Sequence, residues 1–379
     1  MKVAMIGTVA SSFYGFRADL IKALVELNHE VYAFTSEYKE GDLSKIRAMG
    51  ATPIPYRLSR GGLNPLNDIK ATLYLAKKIK SLQPDLVFSY FSKPVIFGTW
   101  AAKLANTPKI IGMLEGLGYT FTEQPEGTAY KNKMIKNIQI GLYKSALPKL
   151  DTLIFLNPDD PKDLLQKHAI KVNNVEVLGG IGLNLDTYLH QPIPNTQGSI
   201  KFLFIARLIK EKGIHDFIAA AKLVKLKYPD TKFTVLGSID SSNLGGLTQI
   251  ELDQLIASEI IDYPGYVTNV PEWIAQSHVF VLPSYYREGV PRSTQEAMAI
   301  GRPIITTDVP GCRETVIDGR NGFLIEKWNP DALAKKMIYF IENPEKVEEM
   351  GLESYKIAQE KYDANEVNKR LLKILGVKI

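Results

Sequence analysis

Residues 201–213 read KFLFIARLIKEKG, and residues 279–296 read VFVLPSYYREGVPRSTQE. Each segment opens with a short apolar run, KFLFIA or VFVLPS, which predicts a buried strand, and then turns polar and charged. Strand patterns of this kind alternate with helical patterns along the whole chain, which favours parallel sheets in doubly wound α/β domains. In such domains ligands gather at the carboxyl ends of the strands, where both polar segments are expected.

The polar segments carry groups that suit a nucleoside diphosphate. Arg207 and Lys212 follow the first strand, and two cations there can neutralise a pyrophosphate. Gly289, Val290 and Pro291 form a turn that opens a helix, whose free backbone N–H groups favour the same anion. We therefore predict that these five residues share a nucleotide-binding site.

Two glutamates flank this helix start and cannot have the same task. Glu288 precedes the helix and can reach a sugar at the helix N-terminus. Glu296 lies inside the helix, where its carboxylate can accept hydrogen bonds from a ribose diol. Pro291 lacks an N–H and is expected in the first helical turn, and the helix is expected to end at Gly301. The alternative interpretation is two surface glutamates beside an ordinary helix; the joint pattern with the upstream cations disfavours it.

The predicted strands fall into two sets with a polar linker between them. Residues 184–199, rich in Pro, Asn and Gln, have the composition of that linker. We predict an N-terminal domain over 1–190 and a C-terminal domain over 191–362, each large enough to bury its own core. The strands are expected at 2–8, 30–36, 52–56, 86–91, 109–114, 152–157 and 175–180, and then at 201–206, 232–237, 279–283, 303–307 and 322–325.

The composition indicates the cellular compartment. The 379 residues include one cysteine, Cys312, which permits no internal disulfide and fits a reducing compartment. No apolar run reaches the roughly 18 residues of a membrane-spanning helix, and the first residues form a strand pattern rather than a signal peptide. These features predict a cytoplasmic protein.

The positive charge is concentrated in the first half of the chain. Residues 1–190 contain 23 Lys and Arg against 17 Asp and Glu, whereas residues 191–379 contain 23 against 24. The densest basic stretch, 127–150, has five lysines, no acid and interleaved apolar residues. A basic amphipathic helix there can lie on an anionic membrane surface, which would place the protein peripherally on the inner face of the cytoplasmic membrane. It can equally pack on the domain core with solvated lysines. Nucleic acid is not expected as a partner, because no binding motif occurs.

Several motifs resemble those of a known family. The R-x4-K-G and E-x7-E segments and the run PIITTDVPGCRETVIDGRNGFLI (303–325) resemble the retaining glycosyltransferases of family 4, which have the GT-B fold. The segments SRGGLNP (59–65) and MLEGLGYTF (113–121) resemble the branch that builds bacterial lipid-linked oligosaccharides. The resemblance implies two Rossmann-like domains that face each other across a cleft, with the tail 363–379 packing back on the first domain.

The resemblance also implies an activity. Such an enzyme moves a sugar, such as N-acetylgalactosamine (GalNAc) or another N-acetylhexosamine, from a UDP-sugar to a polyprenyl-diphosphate-linked saccharide during N-glycan, capsule or O-antigen assembly. Gly237, Tyr266 and Val267 are the positions implied for uracil, through backbone groups and a covering side chain. Tyr266 and Val267 as simple core residues, and GDP as the nucleotide, remain open.

A second group of candidate residues follows the strands of the first domain. Gly15 is expected beside the nucleotide sugar and Tyr14 beside the acceptor. Arg17, Arg60 and Lys93 are the cations best placed for an acceptor diphosphate, although each can equally be an ordinary surface residue.

The residue after the strand 109–114 departs from the family pattern. Many members of the family have a histidine there, whereas this chain has Glu115. A glutamate at this place can act as a general base or can orient the acceptor, while the leaving phosphate takes the proton itself. Gly116 indicates a close approach of the backbone to the acceptor.

No metal ion or other cofactor is expected. The chain has no D-x-D triplet, and its five histidines lack the spacing of metal ligands. Arg207 and Lys212 must then stabilise the departing diphosphate, and this stabilisation is expected to be the chief catalytic term. Two rival interpretations are a nucleotide-sugar epimerase of GT-B shape, which has no acceptor, and a non-catalytic binding protein. The binding protein would be expected to have lost Arg207, Lys212 or Glu296, and all three are present.

Overall fold

The computed structural model describes residues 1–58, 64–127, 129–195, 199–240 and 245–378. The chain divides into two compact units. Unit 1 comprises Met1–Thr120, Ala129–Gly182 and Ala364–Ile379, and unit 2 comprises Phe121–Thr128 and Leu183–Asp363. The chain therefore passes into unit 2 at residue 183, earlier than the expected boundary after residue 190.

Unit 1 is built on a seven-stranded parallel sheet covered by helices. The strands are β1 Lys2–Ile6, β2 Glu30–Thr35, β3 Thr52–Pro55, β4 Leu86–Tyr90, β5 Lys109–Leu114, β6 Thr152–Phe155 and β7 Val175–Val177. The helices are α1 Ala10–Gly15, α2 Ala18–Glu26, α3 Asp42–Ala48, α4 Pro65–Leu82, α5 Ser92–Leu104, α6 Tyr130–Ala146 and the single turn α7 Asp159–Pro161. The strand order is β3-β2-β1-β4-β5-β6-β7.

Unit 2 repeats this architecture with six parallel strands. These are β8 Lys201–Ile205, β9 Lys232–Leu236, β10 Asp262–Gly265, β11 Val279–Leu282, β12 Ile304–Thr307 and β13 Gly322–Ile325, in the order β10-β9-β8-β11-β12-β13. The helices are α8 Ile214–Lys227, α9 Gln249–Ala257, α10 Val270–Ala275, α11 Arg292–Ile300, α12 Pro330–Glu342 and α13 Glu345–Tyr362. A last helix, α14 Ala364–Leu375, belongs to unit 1.

Both sheets are doubly wound, as the alternating pattern predicts. The central strands β1, β4 and β11 are buried along almost their whole length, which is why their sequences are apolar runs without polar alternation. The strand order reverses between β1 and β4 in unit 1 and between β8 and β11 in unit 2. Ligands of doubly wound sheets bind outside the carboxyl ends of the strands at such a reversal.

Residues 183–190 belong to unit 2 because they pair within it. Leu183 forms a parallel β-bridge with Asp363, and its N–H donates to the carbonyl of Tyr362 at 2.9 Å. Directly after this bridge α14 packs against α2 of unit 1, and Arg370 donates to the carbonyl of Leu178 at 2.8 Å. Leu183 and Asp363, the two ends of the long segment of unit 2, therefore lie next to each other.

Candidate active site

The first candidate site lies at the carboxyl ends of β8 and β11. After β8 the chain passes Arg207, forms a 3-10 turn at Lys210–Lys212 and enters α8 through Gly213. Gly213 has φ +78°, and a Cβ there would lie 2.0 Å from the carbonyl oxygen of Pro283, just after β11. Only glycine permits two loops to approach this closely, so the sequence Lys212-Gly213 holds the lysine against the β11 loop.

Lys212 and Glu288, both predicted site residues, form an ion pair. Their side chains are 15% and 13% exposed, so the pair is largely shielded from water while remaining accessible to a ligand. Ser284 Oγ donates to the same carboxylate at 3.3 Å, and the carbonyl of Glu211 accepts the N–H of Tyr285 at 2.9 Å. Ser284 and Glu211 were not predicted, and the Glu211 contact, made through a backbone carbonyl, leaves no signal in the sequence.

Arg207 lies after the same strand but has a different partner. Its Nη1 donates to Asp240 Oδ2 at 3.2 Å, and its side chain is 47% exposed. The structure thus places both predicted cations at the end of β8 and gives each its own carboxylate. Asp240 follows β9 and was not predicted, because nothing in the sequence relates it to Arg207.

The helix that follows the β11 loop begins one residue later than expected. Pro291 is the N-cap of α11, with φ −59° and ψ 127°, and the first helical residue is Arg292. The helix ends at Ile300, with Gly301 as a left-handed C-cap at φ +90°. The expectation that Pro291 lies in the first turn is therefore wrong by one position, because its backbone is extended; the positive end of the helix still faces the loop.

Glu296 is buried inside this helix and has two partners of its own. Its Oε1 accepts hydrogen bonds from Arg292 Nε at 3.0 Å and from the Tyr188 hydroxyl at 2.8 Å. Burial raises the pKa of the Glu296 carboxyl, and burial also raises the pKa of Tyr188. Arg292 could have been found from its i, i+4 spacing to Glu296, whereas Tyr188 could not. The two hydrogen bonds fix the orientation of the carboxylate.

The motif run 303–325 supports the β11 loop from behind. Gly311 has φ +84°, and a Cβ there would lie 2.6 Å from the carbonyl oxygen of Gly289. Val290 is buried in the same loop. Cys312 is buried with its Sγ 3.7 Å from the carbonyl oxygen of Ser284, and burial raises the pKa of its thiol to about 12. Cys312 is therefore a packing residue, since a thiol at neutral pH is a poor nucleophile.

The residues expected at the base cluster around Gly237. Gly237 has φ +139°, and a Cβ there would lie 1.9 Å from the carbonyl oxygen of Ala206, so only glycine fits beside the end of β8. Its N–H donates to the carbonyl of Gly265 at 3.0 Å. Tyr266 is 76% exposed, which rules out the interpretation of this residue as part of the core, and Val267 is half-buried.

The second candidate site lies in unit 1, where Arg17 and Glu115 form an ion pair. Arg17 is buried, which overturns its interpretation as an ordinary surface arginine, and its guanidinium stacks 5.1 Å from the centre of the Tyr90 ring. Glu115 follows β5, and the next residue, Gly116, has φ +99°. The sequence predicted each charged residue separately; that they pair follows only from the fold, which brings the start of α2 next to the end of β5.

Three other predicted residues of unit 1 lie on α1 and α5. Tyr14, predicted for the acceptor, and Gly15, predicted for the nucleotide sugar, end helix α1, and the Tyr14 hydroxyl donates to Asp42 at 2.9 Å. Lys93 pairs with the buried Asp68 at 3.1 Å, so it is a partly buried, ion-paired lysine. Arg60 lies outside the described residues.

The described residues offer neither a metal-binding cluster nor a membrane-spanning helix. In the described ranges, no group of three or more His, Cys, Asp or Glu side chains is arranged to hold a metal ion. Over the same ranges, no helix combines the length and the apolar character that a membrane crossing needs.

Comparisons with known proteins agree with this architecture. The family model described as "Glycosyl transferases group 1" matches residues 187–357, and the model described as "Glycosyl transferase 4-like" matches residues 2–157. Between them they span most of the chain. Among solved structures, Anabaena HepE in complex with UDP-glucose superposes with a TM-score of 0.78 and 16% identity, covering 99% of both chains. At that identity the match shows the fold, and the fold is GT-B.

Two curated relatives extend the match to function. The N,N'-diacetylbacillosaminyl-diphospho-undecaprenol alpha-1,3-N-acetylgalactosaminyltransferase of Campylobacter jejuni is 28% identical, over 99% of this chain and 98% of that protein. The UDP-Gal:alpha-D-GlcNAc-diphosphoundecaprenol alpha-1,3-galactosyltransferase of Escherichia coli is 25% identical, over 72% of this chain and 70% of that protein. The chain therefore belongs to the GT-B glycosyltransferases and is an enzyme of that class.

Proposed function

We propose that this enzyme transfers a sugar from a UDP-sugar to a polyprenyl-diphosphate-linked saccharide in bacterial glycan assembly. The observation that carries the proposal is the shielded pair of Lys212 and Glu288, held at the reversal of the unit 2 sheet next to the start of α11. The two relatives, whose names specify diphospho-undecaprenol acceptors, support the class of acceptor. We further propose GalNAc as the sugar, since the C. jejuni relative transfers it, and retention of the anomeric configuration.

Lys212 has the central role in the proposed reaction. The bond between C1 of the sugar and the diphosphate oxygen breaks, and negative charge develops on the leaving group. The Lys212 ammonium stabilises this charge most effectively where water is excluded, and Arg207 and the N-terminus of α11 contribute from the same loops. Glu288 holds the lysine in place and can accept hydrogen bonds from hydroxyl groups of the donor sugar.

Glu296 is proposed to bind the ribose. Its Oε1 is occupied by Arg292 and Tyr188, so a ribose diol would be received by Oε2. Gly237 and Tyr266 are proposed to contact the base, the first through its backbone and the second by covering the ring. Gly289, Val290 and Pro291 present the helix start to the phosphates.

On the acceptor side, Glu115 is proposed to orient the attacking hydroxyl. Protonation of this carboxylate would break its ion pair with the buried Arg17, and breaking a buried pair is costly. The proton of the acceptor hydroxyl is therefore proposed to pass to the leaving diphosphate as the new bond to C1 forms. Arg17 is proposed as a positioning residue for Glu115, and Lys93, Tyr14 and Gly116 are proposed to complete the acceptor site.

The partner surface is proposed to be an anionic membrane, since the acceptor is a lipid. The enzyme would then act as a peripheral protein on the cytoplasmic face, with its basic unit 1 towards the headgroups. Helix α6, the basic amphipathic helix found in the sequence, is buried at Ile140, Tyr143 and Ala146 and exposed along its first half. It packs on the core and presents lysines to solvent, as the core-packing interpretation expected, and contact of its exposed half with the membrane is part of this proposal.

The test is a transfer assay with four donors, UDP-GalNAc, UDP-GlcNAc, UDP-Gal and UDP-Glc, and a polyprenyl-diphosphate-linked saccharide. We expect release of UDP that depends on the acceptor, together with a product whose anomeric configuration, determined by NMR, matches that of the donor. Conversion of the donor to its epimer without any acceptor would favour the epimerase instead. Tight UDP binding without transfer to any acceptor would favour the non-catalytic alternative.

A further inference from the structure

Helix α4 exposes a stripe of large apolar side chains that was not predicted from the sequence. Leu66, Ile69 and Leu73 are 73%, 53% and 58% exposed, and their i, i+3, i+7 spacing places them on one face. Leu104, the last residue of α5, is 59% exposed. Single exposed apolar residues are ordinary, whereas a contiguous group of this size marks an interaction surface.

The stripe borders a groove between α4 and α5. The groove has a volume of about 350 Å³, and its apolar lining comes from Ile69, Leu73, Trp100 and Leu104. Lys103 and Lys149 also line it. Lysine stems can cover apolar surface while their ammonium groups reach outward, so this lining combines hydrocarbon with positive charge.

The exposed charges of α4 and α5 have one sign. All exposed charged residues of α4 are lysines, namely Lys70, Lys77, Lys78 and Lys80. The single acid of this helix, Asp68, is buried in its ion pair with Lys93, and the sequence of α5 contains no acid. Interfaces with other proteins are depleted of lysine, whereas apolar side chains interleaved with lysines suit an anionic lipid surface.

The neighbouring helix extends the same layer. Helix α5 contacts both α4 and α6, and α6 exposes Tyr130, Met134 and Ile138 at i, i+4, i+8 spacing. Lys131 and Lys133 of α6 are exposed as well. The layer formed by α4, α5 and α6 therefore carries apolar stripes and lysines on more than one helix.

We infer that the outer face of α4 and α5 is the surface with which this enzyme docks on an anionic lipid bilayer. Leu66, Ile69, Leu73 and Leu104 enter the acyl boundary, and the surrounding lysines contact lipid phosphates. The inference rests on the proposed function in one respect, since a membrane-bound acceptor gives such docking its use. Its test, however, needs no acceptor.

The test compares the double variant I69E/L73E with the wild type in co-sedimentation with vesicles of phosphatidylcholine and phosphatidylglycerol. Both side chains are exposed, so the fold should be kept, and circular dichroism checks this. We expect the variant to lose ~10-fold or more of its vesicle affinity, because two apolar anchors become anionic. Leu226→Glu is the matched control: Leu226 is an 85% exposed leucine on α8 of unit 2, and its replacement should leave binding unchanged.

Trp100 supplies a second readout at the groove itself. Brominated lipids in the vesicles should quench part of the wild-type tryptophan fluorescence. In Trp100→Phe this quenching should be absent, since the two remaining tryptophans, Trp273 and Trp328, lie in unit 2. Wild-type affinity of I69E/L73E, or quenching that survives in Trp100→Phe, would overturn the inference. So would binding only to vesicles that contain polyprenyl diphosphate, which would make the groove a site for the acceptor chain. A change of molecular mass in I69E/L73E by analytical ultracentrifugation would instead show that a second copy covers the face.

Failure of the docking surface and failure of the proposed function are distinguishable. With a short-chain, water-soluble acceptor, I69E/L73E should transfer sugar at the wild-type rate, whereas with the acceptor embedded in vesicles its rate should fall. If I69E/L73E loses transfer to the soluble acceptor while the wild type retains it, these residues belong to the catalytic machinery, and docking is overturned as their role. Absence of transfer in the wild type with either acceptor would remove the proposed function and leave the vesicle result standing.

Discussion

Each predicted cation of the first site already has a carboxylate partner, Glu288 for Lys212 and Asp240 for Arg207. A diphosphate that binds there must compete with these carboxylates or share the cations with them. The Lys212 pair is shielded, whereas the Arg207 side chain is nearly half exposed, and electrostatic interactions weaken with access to water. Lys212 should therefore contribute more to stabilising the leaving group than Arg207.

We expect Lys212→Ala to lower kcat by ~10²-fold or more, because the variant loses the charge that faces the departing diphosphate. Steady-state rates of UDP release in the presence of the acceptor measure this effect. Lys210→Ala is the matched control, since Lys210 lies in the same turn but pairs with Glu126. Unchanged turnover in Lys212→Ala would remove the lysine from the mechanism.

Tyr188 and Glu296 give a prediction about pH. Burial raises the pKa of the Glu296 carboxyl, so its protonation begins at a higher pH than for an ordinary glutamate. The carboxylate accepts the ribose hydrogen bonds, so UDP affinity should be full above this pKa and should fall as the pH drops through it. The hydroxyl of Tyr188 stabilises the carboxylate, and Tyr188→Phe should therefore move this loss of affinity to higher pH.

Calorimetric titration of UDP and 2′-deoxy-UDP between acid and neutral pH measures the effect. The wild type should prefer UDP, and Tyr188→Phe should reduce that preference, because Glu296 is held less firmly. Tyr228→Phe removes a comparable hydroxyl contact, with Glu342 at 2.6 Å, and should change neither property. Equal preference for UDP in Tyr188→Phe and the wild type across the pH range would contradict the assigned role.

At this scale the sequence predicts the identity of the charged groups better than their partners. Lys212, Glu288 and Glu296 could be found because they lie within two short segments next to predicted strands. Asp240 and Tyr188 could not, since their contacts join residues that are 33 and 108 positions apart in the chain. Such contacts depend on the register of the sheet and on the path of the chain between the units.

At the scale of elements, the glycines after the strands decide how closely the loops pack. Gly213→Ala would combine a left-handed φ with a Cβ only 2.0 Å from the Pro283 carbonyl oxygen. We expect it to lower the free energy of unfolding by about 3 kcal/mol and to weaken UDP binding, because Lys212 and the β11 loop must separate. Urea denaturation and calorimetry measure the two effects.

Gly319→Ala is the control for this substitution. Gly319 has a nearly identical φ of +76°, but nothing lies within 4 Å of the position of its Cβ. It should therefore cost about 1 kcal/mol, which is the strain of the left-handed backbone alone. Equal losses in the two variants would show that the close approach to Pro283 has no energetic weight.

The strands were largely predictable because burial on both faces makes their sequences apolar. The exception is β10, whose sequence Asp262-Tyr-Pro-Gly265 contains a proline and no apolar run. It forms the edge of the sheet with an irregular register, and an edge position is one that tolerates proline. A strand of this kind is specified by its neighbour β9 and not by its own pattern.

At the scale of the whole molecule, the excess positive charge lies in the unit for which membrane docking is proposed. The first half of the chain has the excess of Lys and Arg, and unit 1 carries the lysine-bounded face of α4 and α5. Unit 2 contains 19 Lys and Arg against 26 Asp and Glu, and its cations at the sheet reversal are matched by carboxylates. Long-range attraction to an anionic surface should therefore act on unit 1, whereas binding in unit 2 should depend on short-range contacts.

This division leads to a prediction about divalent ions. Lys212, Arg207 and the N-terminus of α11 all direct positive charge to the loops after β8 and β11, so they can supply the neutralisation that a divalent ion provides in other transferases. We expect full transfer activity in excess EDTA, measured with the acceptor in detergent so that vesicle binding has no influence. The same assay with Lys212→Ala tests the physical reason for this independence of metal ions. If added Mg²⁺ partly restores the activity of the variant, the ion and the lysine both neutralise the charge of the leaving diphosphate. Wild-type activity that vanishes in EDTA and returns with Mg²⁺ would instead assign that charge to the ion.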